Sequence, residues 1–565
     1  MTPPHCSQPA DPRTAPFRWP TAEAAKAHDH FRTPEPQSQR QYAQQTGVPR
    51  STLGYWARRD DPALADPLLH PDLVAFLRGS AGEAFLRRVV AAALTTFCLQ
   101  GSAGLRLVTA FLQRTQLDRF VACSRGALHP LLLHLESDLA AFRGQFQPHL
   151  AGQMGPRRLT VVADEHFHGP DNCLVAIEPV SNFILVERYA RRRDAGTWER
   201  AIRDGIEGMP VEAVQLTSDQ AKGLLCCAEK GLAVAHSPDL FHGQRDLLSP
   251  LLLPLQRPIQ EAHKDLQKAA GLTERLDVPA EQPQPGDELI ALIEAVRQQV
   301  AAEKHLEELN QRKGKAIEQV RGLGDDYHPF DRHTGAPVTA QEVGVRLGGH
   351  LNRLDEVVRQ AGLGHRASEA VNKCRGWVGL LIGCVGWFWG LAQARLEGLE
   401  LTEEQEQAVY QKLLPGHYWE AAGGRARTSE ERERLKEMAG KLQDQAWAEG
   451  GPLSGLSEGE RIRLEEVARQ TVGLFSRSSS CVEGRNGRLS LQHHGHSRVS
   501  QRRLEALTVI HNYVAERPDG TTAAQRFFGQ KPPDVFGWLL GRLPDLPRPA
   551  QKRRDTAAQA LPRTE

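Results

Sequence analysis

The spacing of hydrophobic positions changes character along the chain. Between 63 and 150 the apolar residues recur every three to four positions, with Leu86, Val90, Ala93 (or Leu94) and Phe97 on one stripe, which predicts helices. At 158 the pattern switches to β-type runs: LTVVADEHF (159–167), CLVAIEPVS (173–181) and FILVERYA (183–190), separated by Gly-Pro-Asp-Asn and Ser-Asn turn chemistry. A helix follows over 195–209, with Trp198, Ile202 and Ile206 on one stripe, then a strand (211–219), a short helix (221–231) and a fifth strand (232–240). After about 250 strand-like patterning stops for over two hundred residues. Residues 287–320 read as a long amphipathic helix carrying Leu289, Ile293, Val296, Val300, Leu309, Ile317 and Val320. Thr402 with Gln405 and Ser457 with Glu460 have the spacing of capping boxes that open further helices. Residues 476–545 form a last segment, with an Arg- and His-rich stretch, the helix LEALTVIHNYV and the turn Arg517-Pro518-Asp519-Gly520.

Two stretches carry more specific patterns. Residues 38–60 read as a helix over 39–45, a break at Thr46-Gly47-Val48-Pro49 and a second helix from Arg50 to Arg59. Ala43, Gly47, Leu53 and Trp56 fall at the small, turn-glycine and core positions of a helix-turn-helix. The early residues of the second helix, Arg50, Ser51, Thr52 and Tyr55, would then face DNA base edges. Between Arg375 and Arg395 lie nineteen residues with only Gln393 strongly polar, the length of a membrane span. Five glycines and charged amphipathic helices on either side favour a buried central helix, and no membrane partner is expected.

Composition narrows the classes. At 565 residues the chain is too long for one core, which predicts several domains. The expected boundaries are a flexible arm (1–37), the helix-turn-helix (38–62), a helical region (63–155), a strand-rich catalytic part (156–250), a helical insertion (251–475), a second catalytic part (476–545) and a tail (546–565). Lys+Arg 70 against Asp+Glu 69 leaves no overall polyanion signature, so any nucleic-acid surface must be local. The nine scattered cysteines have no zinc-knuckle spacing and suit a reduced cytoplasmic chain. Gly455-Leu456-Ser457-Glu458-Gly459 spells a nucleophile elbow, but Ser457 precedes a polar helix rather than following a strand. Gly314-Lys315 lacks the rest of a phosphate loop.

The carboxylates are more informative. Asp164 ends the apolar run Val161-Val162-Ala163, and Asp219 takes the equivalent place after 213–218. Each singly suits a turn. In a β-β-β-α-β order strands one and four are neighbours, which would set the two acids face to face, an arrangement that a divalent cation relieves. Glu483 is the candidate third acid. It stands in a stretch, 475–505, with six arginines (477, 485, 488, 498, 502 and 503) and with His493, His494 and His496, although a salt bridge on a solvated helix would place an acid there too. Asp239 is a reserve ligand, ranked above Glu165, which alternation points to the other face of its strand.

VVADEHF, LTSDQAKGLL with HSPDLFHGQRDL, and CVEGRNGRLSLQHHGH with the helix and turn that follow resemble bacterial insertion-sequence transposases of the Asp-Asp-Glu class, over roughly 158–250 and 476–545. The resemblance implies an α/β ribonuclease-H-like catalytic core interrupted by a large all-α insertion, with an N-terminal helix-turn-helix and helical region. It also implies that Asp164, Asp219 and Glu483 hold two Mg²⁺ ions, with Mn²⁺ able to substitute, for phosphoryl transfer on double-stranded DNA. A homodimer or higher oligomer on DNA is expected, at the bacterial nucleoid. The Tyr-Arg-Glu-Lys signature of one branch is absent, since Ser479 and Ser490 stand where its Arg and Lys would be. Arg191, Arg192, Arg193, Arg485, Arg488 and His493 are candidates for backbone contacts, and Asn486 for orienting a water or phosphate. A domesticated, non-catalytic DNA-binding protein is the alternative reading, and a helical scaffold without DNA affinity a further one.

Overall fold

The computed structural model describes residues 26–27, 29–31, 33, 35–57, 59–60, 69–168, 171–277, 286–426, 428–495, 499–549 and 552–553. Most of the expected arm (1–37) and tail (546–565), together with His496 and Arg498, lies outside these residues. The chain forms two compact units: Met1–Gln147 with Leu489–Ala515 and Pro532–Glu565, and Pro148–Arg488 with Glu516–Lys531.

In the first unit, helix α1 (Gln39–Thr46) opens with a Ser38–Gln41 capping box and ends at Gly47, whose φ of 73° favours glycine. Helix α2 (Arg50–Ala57) follows, and Tyr42, Val48, Leu53 and Trp56 are buried with Ala27 in one small core. Helix α3 (Arg125–Gln153) carries Glu136, a buried acid held by Arg502 at 3.1 Å and Arg503 at 3.2 Å. Two arginines of the basic 475–505 stretch are therefore structural.

The second unit contains a five-stranded mixed sheet of β1 (Arg157–His168), β2 (Asp171–Glu178), β3 (Phe183–Ala190), β4 (Val211–Ser218) and β5 (Ala235–Pro238), in the order β3-β2-β1-β4-β5. β1–β2 and β2–β3 pair antiparallel, while β1–β4 and β4–β5 pair parallel. Val161, Val162 and Ala163 on β1 and Leu174–Ile177 on β2 are fully buried, as continuous apolar runs require. Helix α4 (Ala195–Ile206) is capped by Asp194 and lays Trp198, Ala201 and Ile202 inward. Its Gly205 permits the approach to β3, because a Cβ there would stand 2.7 Å from the Leu185 carbonyl oxygen.

Helices build the rest of this unit. Helices α5 (Leu240–Leu276) and α6 (Gly286–Asp326) form a long pair, followed by α7 (Ala340–Gln360), α8 (His365–Glu397), α9 (Leu414–Gly423), α10 (Ser429–Ala446) and α11 (Glu458–Gly473). One large apolar cluster joins them, including Leu247, Leu251, Val320, Leu347, Leu351, Leu381, Phe388, Trp419 and Phe475. Pro250, Pro254 and Pro258 lie inside α5. They recur every four residues off the stripe of buried Leu247, Leu251, Leu255 and Ile259, so the carbonyls they free are away from the core. Helix α12 (Ser480–Gly495) follows this block.

The expected α/β ribonuclease-H-like class is corrected by this architecture. The described residues are 70% helical and their five-stranded sheet is small and mixed, not a clear ribonuclease-H-like α/β core. The strand order within 158–240 is local, whereas most buried apolar surface belongs to helices that strand patterning does not register.

One helix among the described residues, α8, is long and apolar enough to cross a membrane. It packs through a single stripe, Val371, Cys374, Leu381, Cys384, Val385, Phe388, Ala392 and Leu396, into the helical core. It is not buried all round: Leu380 remains 44% exposed.

Candidate metal centre

Strand register brings the first two acids near each other. Ala163 on β1 is paired with Ser218, the last residue of β4, so Asp164, within β1, and Asp219, just past β4, each directly follow a paired residue. Asp164 is buried, and one of its carboxylate oxygens accepts from the Glu165 amide at 2.8 Å. Burial pushes its carboxyl up to about 7; the Asp219 and Glu483 charges add to the rise, while the Glu165 amide and His242 oppose it. Asp219 is half-buried and turns one oxygen back to the Ala221 amide at 3.2 Å.

Glu483 reaches the sheet because the segment before α12 is sewn to the end of β5. Ser237 Oγ donates to the Ser476 carbonyl at 3.1 Å, and the Leu240 amide donates to the Arg477 carbonyl at 3.1 Å. Arg477 itself donates to the Gly324 carbonyl at 2.8 Å, near the carboxyl end of α6, where a cation is favoured. In the first turn of α12, Glu483 lies 3.6 Å from His242 Nε2 and 4.0 Å from Arg245.

His242 completes the cluster. One ligand atom from each of Asp164, His242 and Glu483 lies within 4.8 Å of the other two. Asp219 falls outside this group. The first turn of α5 presents His242: Asp239 caps the helix by accepting from the Phe241 amide at 2.9 Å, and its other oxygen takes hydrogen bonds from His242 Nδ1 and Ser479 Oγ. Burial alone would raise the Asp239 carboxyl, but those hydrogen bonds hold it below the usual carboxylate range. The hydrogen bond to Asp239 in turn raises the His242 imidazole. With Nδ1 committed to a carboxylate, Nε2 is the atom left to face a cation, the arrangement typical of metal-bound histidine. Two carboxylates and an imidazole suit a divalent cation. The nitrogen donor favours Mn²⁺ over Mg²⁺, which prefers oxygen.

Asp239, the reserve ligand, is thus a supporting residue whose two oxygens are already engaged. Glu165 lies on the opposite face, 3.4 Å from both Arg193 and Trp198 Nε1. Among the proposed DNA contacts, Arg50, Ser51 and Tyr55 are exposed on α2, and Thr52 is half-buried. Arg191, Arg192 and Arg193 are exposed after β3, with Arg193 also lying over Phe167. Arg488 is exposed and His493 half-buried. Arg485 is corrected: it is buried in a two-pronged ion pair with Glu187, both N···O distances 2.6 Å, and offers no surface for a phosphate. Asn486 is also buried, so it is no surface contact. His242 went unread in the sequence, although Asp239-x-x-His242 directly after a strand was its available signal.

Residues 409–555 match the model of a family of unknown function (DUF6399). No curated protein and no solved structure matches the chain.

Proposed function

We propose that this chain is a DNA transposase of the Asp-Asp-Glu class, which cuts DNA at the ends of a mobile element and joins those ends to a target. The observation that carries this reading is the meeting of Asp164 and Glu483, from opposite sides of the helical block, at one point with His242. Asp219 stands close enough to act on the Asp164 charge, and the helix pair α1 and α2 supplies a route to duplex DNA.

In this reading Asp164, His242 and Glu483 hold a divalent cation, Mg²⁺ or Mn²⁺, and Asp164 with Asp219 supports a second. Bound there, the cations supply activation of water or of a DNA 3′-hydroxyl and stabilise the leaving oxygen. The protein's own share is positioning. Asp239 fixes the His242 ring, the Arg477 anchor fixes the entry to α12, and the exposed Arg191–Arg193 run contacts the DNA backbone. Self-association draws on an exposed strip of α6, Leu289, Ile293, Val296 and Val300, whose four-three-four spacing is that of a coiled-coil seam. Such a protein works at the nucleoid in the bacterial cytoplasm.

The test is cleavage of duplex DNA carrying the element's own flanks, with Mg²⁺ or Mn²⁺, by wild type and Asp164→Asn. Cleavage by wild type and a loss of at least about a thousandfold in the variant support the reading. DNA binding without cleavage in either metal replaces it with the non-catalytic alternative.

A further inference from the structure

At the amino ends of β1 and β4, away from the carboxylate cluster, the protein has a cavity of about 460 Å³. Pro156, Pro210, Arg157, Arg158, Glu212 and Arg395 contribute to its wall. The two strands start here, with the Arg157 amide donating to the Pro210 carbonyl at 3.0 Å, so backbone pairing fixes the positions of both strand arginines. Arg395 arrives from α8 and donates through one nitrogen to Gln470 at 2.8 Å.

The guanidinium groups are incompletely used. Arg157 Nε and Nη2 and Arg395 Nη1 are buried and meet no protein acceptor. Arg157 lies over the Phe527 ring at 4.4 Å, which holds its plane without occupying those N–H groups. Burial lowers the proton affinity of both side chains, as expected of cations drawn from water without full compensation.

The nearby acids are already engaged. Glu212 pairs with Arg158 at 3.1 Å, Glu466 with Gln470 at 2.7 Å and Arg469 at 3.7 Å, and Glu178 with the Val180 and Ser181 amides, both at 2.8 Å.

A buried N–H without an acceptor is costly, and a charged one more so. The ligand that answers this wall is a tetrahedral oxyanion, which presents several acceptors to forked donors at once. We propose that the cavity binds a phosphate group, through Arg157 and Arg395 with Arg158 at the rim. The site lies seven residues along β1 from Asp164, about 23 Å at about 3.3 Å per residue. It is independent of the metal-centre reading.

The phosphate has two candidate sources, a nucleic-acid backbone and a free phosphate compound, and the experiment separates them. The full chain is titrated calorimetrically with inorganic pyrophosphate at constant ionic strength in EDTA, which keeps the carboxylate cluster from recruiting the anion through a cation. Saturable binding by wild type is expected, with at least about tenfold weaker binding by Arg395→Gln and a smaller loss in the rim variant Arg158→Gln, at unchanged melting temperatures. No saturable binding by wild type, or equal binding by all three proteins, overturns the proposal. If Arg395→Gln fails to fold, Arg158→Gln alone decides. With binding established, competition by duplex DNA assigns the site to backbone phosphate, and its absence assigns it to a free phosphate compound; either result supports a phosphate site.

Discussion

Replacing Glu187 by Gln removes one charge from a pair that solvent does not reach. The Glu187 side chain is 0% exposed and that of Arg485 5%, and two bonds of 2.6 Å join them. The variant leaves a guanidinium in the interior with a neutral partner, and breaking a buried pair from one side costs about 3–5 kcal/mol. Gln retains one acceptor oxygen, which places the expected loss near the low end, about 3 kcal/mol. Arg485 sits two residues beyond Glu483 on α12, so the loss falls on the element that carries a metal ligand. Amide exchange of α12 should accelerate by more than about a hundredfold, at about 1.4 kcal/mol per factor of ten. The paired change Glu187→Leu with Arg485→Met should recover most of the stability, since matched apolar side chains replace a buried pair at little net cost. A cost below about 1 kcal/mol for Glu187→Gln, the value of a solvated pair, would mean that water reaches the pair and that it does not hold α12.

Other outcomes follow from the same structure. Asp164 titrates near 7 when folded and at 3.8 in its ordinary state, so its burial destabilises the metal-free protein progressively from about pH 4 to pH 7. Asp164→Asn should therefore raise metal-free stability above pH 7, by on the order of a few kcal/mol, and flatten that part of the pH–stability curve in urea titrations. His236 is pushed down to about 4 by burial, so its contribution is full above pH 6.5 and is lost as pH falls from 6.5 to 4; His236→Gln should reduce that acid sensitivity, read in the same way. Arg50→Ala should weaken binding to the element's own end by about 1–3 kcal/mol and narrow its preference over unrelated duplex, measured by fluorescence anisotropy. Ile293→Glu with Val300→Glu should shift sedimentation toward a smaller species, and an unchanged profile would remove the α6 strip from self-association.

The turn-flanked and strongly patterned parts of the chain are legible in the sequence. The helix pair at 39–57 is one case: Gly47 ends α1 and Leu53 and Trp56 are buried, as their spacing requires. The capping boxes at Thr402 and Ser457 are another, because the paired residues lie three apart on the chain. Helix α5 is not legible, since three prolines ordinarily end helices; only their four-residue spacing, away from the packed stripe, lets the helix continue. The α6 stripe reads as helical, but Leu289, Ile293, Val296 and Val300 are exposed while Leu309 and Val320 are buried, because periodicity names a face without naming what covers it. Arg485, Arg502 and Arg503 show the same limit for charge: their acidic partners, Glu187 and Glu136, lie hundreds of residues away. Glu483 meets His242 at the candidate site only because β5 and the segment before α12 are joined, a long-range contact that no local pattern records.

In the proposed reading Asp164, His242 and Glu483 form one metal centre that acts on DNA. Its most direct test is strand transfer of a labelled element end into target duplex by wild type and Glu483→Gln, in Mn²⁺, with DNA affinity measured in parallel. Joined product from wild type, a loss of at least about a thousandfold in Glu483→Gln and equal DNA affinity are expected. Equal product from both proteins, or none from wild type bound to the same DNA, would exclude this cluster as the centre that joins DNA.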